Sequence, residues 1–306
     1  KYSPPHRPYQ LGLPFCTILT EPASASESQQ DGTVAPQQTL TVTATPSAYG
    51  VAESVSATKT STPITEIPQS VQVINRKMLD EQASHTLSDA LLNVSGVRPT
   101  RSDEILFAQP LVRGFPAEIY LDGLPAFGGT AAAIDPGSVI GAGRIEILKG
   151  PTSALYGGGI GAPLGGLINV VSKRPEATTE GMFGVRTGSY STFNPYGDIN
   201  IPLGDKIAAR FTGSYEQSKS WIDQVKSRNW FLQPSLSFEL SPQTELIFTG
   251  QYNKRSQVEY SGLPAAQAIS GEIDRNTYPG ATSGQPRTTI ENQVSTLALN
   301  HWLNDE

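Results

Sequence analysis

Residues 144–175, RIEILKGPTSALYGGGIGAPLGGLINVVSKRP, decide how this chain is read. Two segments of strand composition, RIEIL (144–148) and LINVV (167–171), flank a run too rich in glycine for a helix. Gly150 and the glycines clustered between Gly157 and Gly166 supply backbone conformations that side-chain-bearing residues resist. The segment predicts strand, glycine loop, strand. After Lys173-Arg174-Pro175 the sequence changes character, so the same segment reads as a boundary.

Upstream, residues 62–175 read as one α+β unit. A strand is expected over 70–74, with Asn75 as N-cap of a short helix. A second helix is expected from Thr86 or Ser88 through Leu92. There Leu87, Ala90, Leu91 and Val94 share one face, and Gly96 provides a stop. Further strands are expected at 111–113 and 119–121, the latter followed by the turn pair Asp122-Gly123.

Downstream the pattern alternates with a period of two. Ile207, Ala209, Phe211, Gly213 and Tyr215 fall on one face, and Arg210, Thr212, Ser214 and Glu216 on the other. Residues 230–240 and 244–254 repeat this, and 181–190, 196–203 and 290–302 add further strands, about six in all and each near the ~9–11 residues that cross a tilted barrel wall. One face suits lipid and the other water. Connections at 203–206 and 241–243 are tight, whereas 218–229 and 255–289 are long and polar, the arrangement of short periplasmic turns and long external loops.

Composition fits such a chain. Of 306 residues, 37% are hydrophobic and 16% charged, which does not suggest a disordered polymer. A mean hydropathy of -0.26 and the lack of a long apolar run exclude a helical membrane protein but not a β-barrel. The net charge of -6 argues against nucleic acid as a partner. Cys16 is the single cysteine, so neither an internal disulfide nor a cysteine metal cluster is expected. His6, His85 and His301 are scattered without metal-ligand spacing. Gly157-x-Gly159-x-x-Ala162 formally satisfies the dinucleotide fingerprint, leaving a dinucleotide-binding oxidoreductase as a distant alternative, but Pro163 and more glycines stand where a helix should begin.

At the N-terminus, Lys1 and Arg7 precede a short apolar run (11–19), and Ala23-Ser24-Ala25 has the form of a signal-peptidase site. Residues 1–25 read as a degenerate signal peptide and 26–61 as a flexible linker. Inside the linker, LTVTA (Leu40, Thr41, Val42, Thr43, Ala44) is a β-prone patch able to add to the edge of a partner's sheet.

The 144–175 run and LVRGFPAEIYLDGLP (111–125) resemble the plug domain of TonB-dependent outer-membrane receptors, and residues 62–175 resemble that plug along their whole length. One departure is visible: where the family usually has proline directly before paired glycines, this chain has Pro163-Leu164-Gly165-Gly166. LTVTA resembles the TonB box. The short spacing between Ala25 and Leu40 leaves no room for an additional N-terminal signalling domain. The resemblance implies an α+β plug domain followed by antiparallel β-strands of an incomplete transmembrane β-barrel in residues 176–306, about 6 of the about 22 strands of plugged transporters. Six strands cannot close, so the chain is expected to be an N-terminal fragment.

Further implications follow from the same resemblance. Arg113 and Arg144 match two arginines that the family places at the plug surface against wall carboxylates. PQSVQVI, VRGF and INVVSKRP resemble the siderophore branch more than the cobalamin or carbohydrate branches. The implied function is TonB-dependent uptake of a ferric siderophore across the outer membrane of a Gram-negative bacterium, with the plug gating the barrel. The alternatives are a receptor for another scarce ligand such as cobalamin, or a gated or passive pore. Implied partners are TonB with its inner-membrane motor complex, an iron–siderophore chelate and outer-membrane lipid. Neither cofactor nor enzymatic chemistry is implied. Arg101, Phe107 and Phe127 of the plug and Tyr260 of the long loop are the expected ligand-binding residues, because iron chelates present oxygen-rich, anionic surfaces.

Overall fold

The computed structural model describes residues 49–99, 110–125, 138–152, 155–156, 164–280 and 284–303. Its first part contains, in chain order, β1 (Glu53–Ser54), β2 (Thr62–Pro63), β3 (Ser70–Asn75), α1 (Arg76–Glu81), α2 (Leu87–Leu91), β4 (Val97–Arg98), β5 (Leu111–Val112), β6 (Phe115–Pro116), β7 (Glu118–Leu121), β8 (Leu124–Pro125), β9 (Ala142–Lys149) and β10 (Gly166–Ser172). The two apolar segments around the glycine cluster become neighbours, β9 and β10, in a five-stranded sheet of order β3-β9-β10-β7-β8. β10 runs antiparallel to β9 and parallel to β7. A strand thus follows the cluster where a dinucleotide-binding unit needs a helix. The fingerprint residues themselves, Gly157, Gly159 and Ala162, lie outside the described residues.

Local chemistry sets the ends of these elements. Asn75 Oδ1 accepts the Met78 amide at 2.9 Å and starts α1. Thr86 and Asp89 form a reciprocal capping box on α2, so Thr86 rather than Ser88 is the cap. Asp122 (φ 50°) and Gly123 (φ 81°) turn β7 into β8. At Gly166 the backbone has φ 134°, and a Cβ there would lie 1.9 Å from the Leu148 carbonyl oxygen. Glycine is required where β9 and β10 come this close.

Both faces of the sheet are covered, which explains why β9 and β10 read as continuous apolar runs. On one face Ile74, Ile119, Ile145, Ile147, Ile168 and Val170 pack with Leu79 of α1 and Leu87 and Leu91 of α2. Each such side chain contributes about 1.5–3 kcal/mol by leaving water. On the other face Tyr120, Leu148 and Leu167 pack with Ala57, Ile67 and Tyr156. Ala57 falls in the segment expected as linker, and this requires a correction. Residues 49–61 are a strap laid across the sheet: β1 pairs with β2, and Ser54 and Ser56 are buried. These serines are buried because they bond Glu146 and Asn169, polar side chains set among the apolar ones of that face.

The second part is a six-stranded antiparallel meander of β11 (Glu180–Gly188), β12 (Thr192–Gly204), β13 (Ile207–Lys219), β14 (Lys226–Ser241), β15 (Thr244–Gln257) and β16 (Thr288–His301), with α3 (Ala265–Ser270) between the last two. The strands of 13 to 16 residues outrun the expected lengths. The connection expected over 218–229 shrinks accordingly, because Lys219 still pairs with Lys226 and the Ser218 and Ser227 hydroxyls lie 2.9 Å apart.

Burial in this sheet is inverted relative to a water-soluble protein. Thr212 and Gln233 are 2% and 3% exposed, whereas Phe211 and Trp230 are each 48% exposed. The polar face lies under the plug and the apolar face points outward, as a lipid-facing wall requires. Gly141, just before β9, marks how tightly plug and wall meet. A Cβ there would lie 1.9 Å from Gln233 Oε1 and 2.9 Å from Phe231 Cζ of β14. Val294 of β16 packs on the plug core.

Candidate functional site

Two polar clusters fasten the plug, one at each end. The first is centred on Glu146 of β9, fully buried on the strap-covered face. Its Oε2 accepts from Ser54 Oγ at 2.5 Å and from the Ser56 amide at 3.1 Å, and its Oε1 from Arg144 Nε at 2.5 Å. Ser56 is held further: its Oγ accepts from Asn169 Nδ2 at 2.7 Å and its carbonyl from Tyr156 OH at 2.6 Å. Lys59 Nζ lies 3.6 Å from the Tyr156 ring centroid, a cation–π contact. Burial alone would raise the Glu146 pKa, but hydrogen bonds from Ser54 and Arg144 outweigh it and hold the carboxyl below its ordinary value. Burial pushes the Tyr156 phenol up to about 12, so it remains a donor.

The second cluster lies where the chain leaves β10 for the wall. Asp198 of β12 receives Lys173 Nζ at 2.8 Å, Arg210 Nη2 at 2.6 Å, Arg210 Nε at 3.0 Å and Thr212 Oγ1 at 2.6 Å. Arg210 Nη1 also donates to the Arg174 carbonyl at 3.1 Å. Asn200 accepts the Glu176 amide and donates to the Glu176 and Thr178 carbonyls. The Lys173 amide donates to Gly141 O at 2.8 Å. Burial lowers the Lys173 pKa against the pull of Asp198. With both cations in place, this carboxylate is paired and hydrogen-bonded, the condition for a buried charge to be tolerated.

The expected site residues fall unevenly. Leu40, Thr41, Val42, Thr43 and Ala44 lie outside the described residues, as do Arg101, Phe107 and Phe127. Arg144, partly exposed, forms its described ion pair with Glu146 inside the plug, where the strap encloses that carboxylate. Arg113 is exposed at the β5–β6 turn with φ 52°; its amide donates to Gly96 O at 2.8 Å and its guanidinium lies by Gly150. After burial, its charge also lowers the pKa of Lys149. Tyr260 is 5% exposed and packs with Ile222, Val225 and Tyr278, so its ring forms the core of the loop cluster instead of an open binding face.

Glu146, Lys173, Asp198 and Arg210 were not anticipated as site residues. The available signal was a charged residue on the inward face of alternating strands, where Asp198 and Arg210 become register neighbours within two residues.

The model of the TonB-dependent Receptor Plug Domain matches residues 63–162. The chain belongs to the TonB-dependent receptor family. It is 31% identical over 266 residues to the metal-pseudopaline receptor CntO of Pseudomonas aeruginosa, covering 84% of this chain and 36% of the relative. It is 30% identical to the ferrioxamine receptor of Yersinia enterocolitica, covering 78% and 34%. The solved siderophore receptor PiuA from Acinetobacter baumannii superimposes with a TM-score of 0.71 at 25% identity, covering 84% of this chain and 37% of that one. The chain thus spans about a third of the length of these relatives. TonB-dependent receptors are transporters and receptors of the Gram-negative outer membrane rather than enzymes, and the outward apolar wall of this member fits that membrane.

Proposed function

We propose that this TonB-dependent receptor mediates energised uptake of a ferric siderophore across the outer membrane, with the plug gating the barrel. The observation that carries the reading is the arrangement of the plug: its C-terminal end is fixed to the wall through Asp198, while its N-terminal strap is held to the sheet by hydrogen bonds around Glu146. A tether through the upstream segment Leu40, Thr41, Val42, Thr43 and Ala44, acting as the TonB box, would act on that strap first. The names of the relatives, receptors for metal-pseudopaline and ferrioxamine, support a metal chelate as cargo. Arg101, Phe107 and Phe127 are assigned to the chelate, and Arg113 to the plug–wall contact.

The test is deletion of residues 40–44 in the whole receptor, followed with radiolabelled iron chelates of the hydroxamate and catecholate classes. Uptake is expected to vanish while surface binding survives. Uptake that persists after the deletion would instead indicate a pore, and uptake of cobalamin without any iron chelate would reassign the cargo.

A further inference from the structure

His85 sits where plug meets wall, and the uptake reading gives it no role. Its backbone is anchored twice: the amide donates to Asp89 Oδ2 of α2 at 3.2 Å, and the carbonyl accepts the Val139 amide, ahead of β9, at 3.0 Å. From this fixed position the imidazole reaches the wall and meets Tyr196 of β12 edge-on, with ring centroids 5.6 Å apart and planes at 62°. The wall is shaped for the contact. Tyr196 alternates with the outward Gly197, so it faces inward, and its register partner on β11 is Gly184. A Cβ at Gly184 would lie 2.4 Å from Tyr196 Cζ, so the phenol ring lies over a position that glycine leaves open. Imidazole, phenol ring and glycine form a socket across the boundary between plug and wall.

Charges around the socket decide which form of His85 it accepts. On the wall side, Arg186 follows Gly184 on the same face of β11 and is held by Glu216 at 2.6 Å. On the plug side, Arg76 of α1 donates to Val139 O and Ala142 O, each at 2.9 Å, and pairs with Asp80 at 2.7 Å. The carboxylate beside the ring is Asp89, whose Oδ2 already accepts the His85 and Thr86 amides. An imidazolium here is desolvated between two guanidinium groups. Burial and then Arg186 lower the His85 pKa from its ordinary 6.5; Asp89 opposes them and Arg76 adds to them. The adjacent Thr86 lines a polar cavity of about 320 Å³ together with Asp89, Arg186 and Glu216, which gives protons a route to the ring.

We propose that His85 is a proton-operated fastener between plug and wall: neutral, it seats against Tyr196 and holds the α2 flank of the plug; protonated, it leaves the socket and releases that flank. The sign follows from linkage. A histidine disfavoured as a cation when seated contributes its full hold above the ordinary value of 6.5, and loses it as pH falls from there through the lower seated value. At pH 5.5, one unit below the ordinary value, the balance shifts toward release by up to about tenfold. Glu146, held below its ordinary 4.5, titrates outside this window.

Hydrogen exchange of the whole receptor in detergent tests this, read over residues 82–91 at pH 7.5 and 5.5 and corrected for the intrinsic exchange rate. Protection of this segment is expected to fall at pH 5.5 by up to about tenfold. His85→Gln stays neutral and should give one protection at both pH values, whereas His85→Arg carries a permanent charge and should give low protection at both. Gly184→Ala acts from the wall: its methyl group displaces the Tyr196 ring, so protection should drop at pH 7.5 and its pH dependence flatten. Heat-modifiable gel mobility checks that the wall of each variant folds. An unchanged pH dependence in His85→Gln would assign the titration to another group and overturn the proposal. A pH dependence untouched by Gly184→Ala would overturn it too, since His85 would then act within the plug alone.

Discussion

Glu146 joins residues far apart in the chain: its partners Ser54 and Ser56 lie 92 and 90 positions earlier. No local pattern could assign it, whereas Asn75, Thr86 and the Asp122-Gly123 turn act on their immediate neighbours and were legible from spacing alone. Glu146→Gln retains the shape but leaves Arg144 without a carboxylate, costing about 1.5–3 kcal/mol of strap attachment for a charged hydrogen bond. Hydrogen exchange should show it as lost protection of the Ser56 amide with unchanged protection of β9. The pH dependence has a definite sign. A carboxyl whose folded pKa is depressed contributes fully above its ordinary value of 4.5 and loses that contribution as pH falls through the lower folded value. Ser56 protection should therefore fall below about pH 4.5 in the native protein and be insensitive to this range in Glu146→Gln. Equal pH dependence in both would remove Glu146 from the role.

At the scale of elements, all six wall strands were expected from the sequence, three of them on clear period-two alternation, but their ends were not placed. Beyond the lipid both faces of a strand are wet, so the alternation fades while the backbone ladder continues through Lys219 and Lys226. The strap was misread for a related reason: serines that bond buried polar side chains look the same in sequence as serines in solvent. The two sides of β13 give opposite predictions. Phe211→Arg places a charge in lipid and should destabilise the wall by about 2–4 kcal/mol near the bilayer midplane, measured by urea unfolding from lipid vesicles. Arg210→Met leaves Asp198 to Lys173 and Thr212 alone, and should cost about 3 kcal/mol because a buried carboxylate loses its bidentate partner. Asp198→Asn introduced into Arg210→Met should cost more again, because it leaves the buried Lys173 ammonium without its carboxylate; a double variant as stable as Arg210→Met would show that the Lys173–Asp198 pair contributes nothing there.

At the scale of the whole molecule, the external loops act as one body. Ile222 and Val225 of the 220–225 connection pack with Tyr260 of the long one, and the Asp223 amide donates to Asn276 O at 2.8 Å. Tyr260→Ala should expose both connections to protease together while the strands stay intact; cleavage confined to 258–287 would show that they move independently. Fold class and membrane setting were legible because they rest on repeated patterns. The charged junction was not, since it depends on which inward residues of separate strands face each other. The sheet order has a mechanical consequence. β3, the first strand of the five-stranded sheet in the chain, occupies an edge, with only β9 beside it. Tension entering at Tyr49 therefore loads the strap and then a single antiparallel ladder, while β10, moored to the wall through Lys173, stays in the interior of the sheet. Under such a load the sheet would lose β3, which has one neighbour, before β10, which has two.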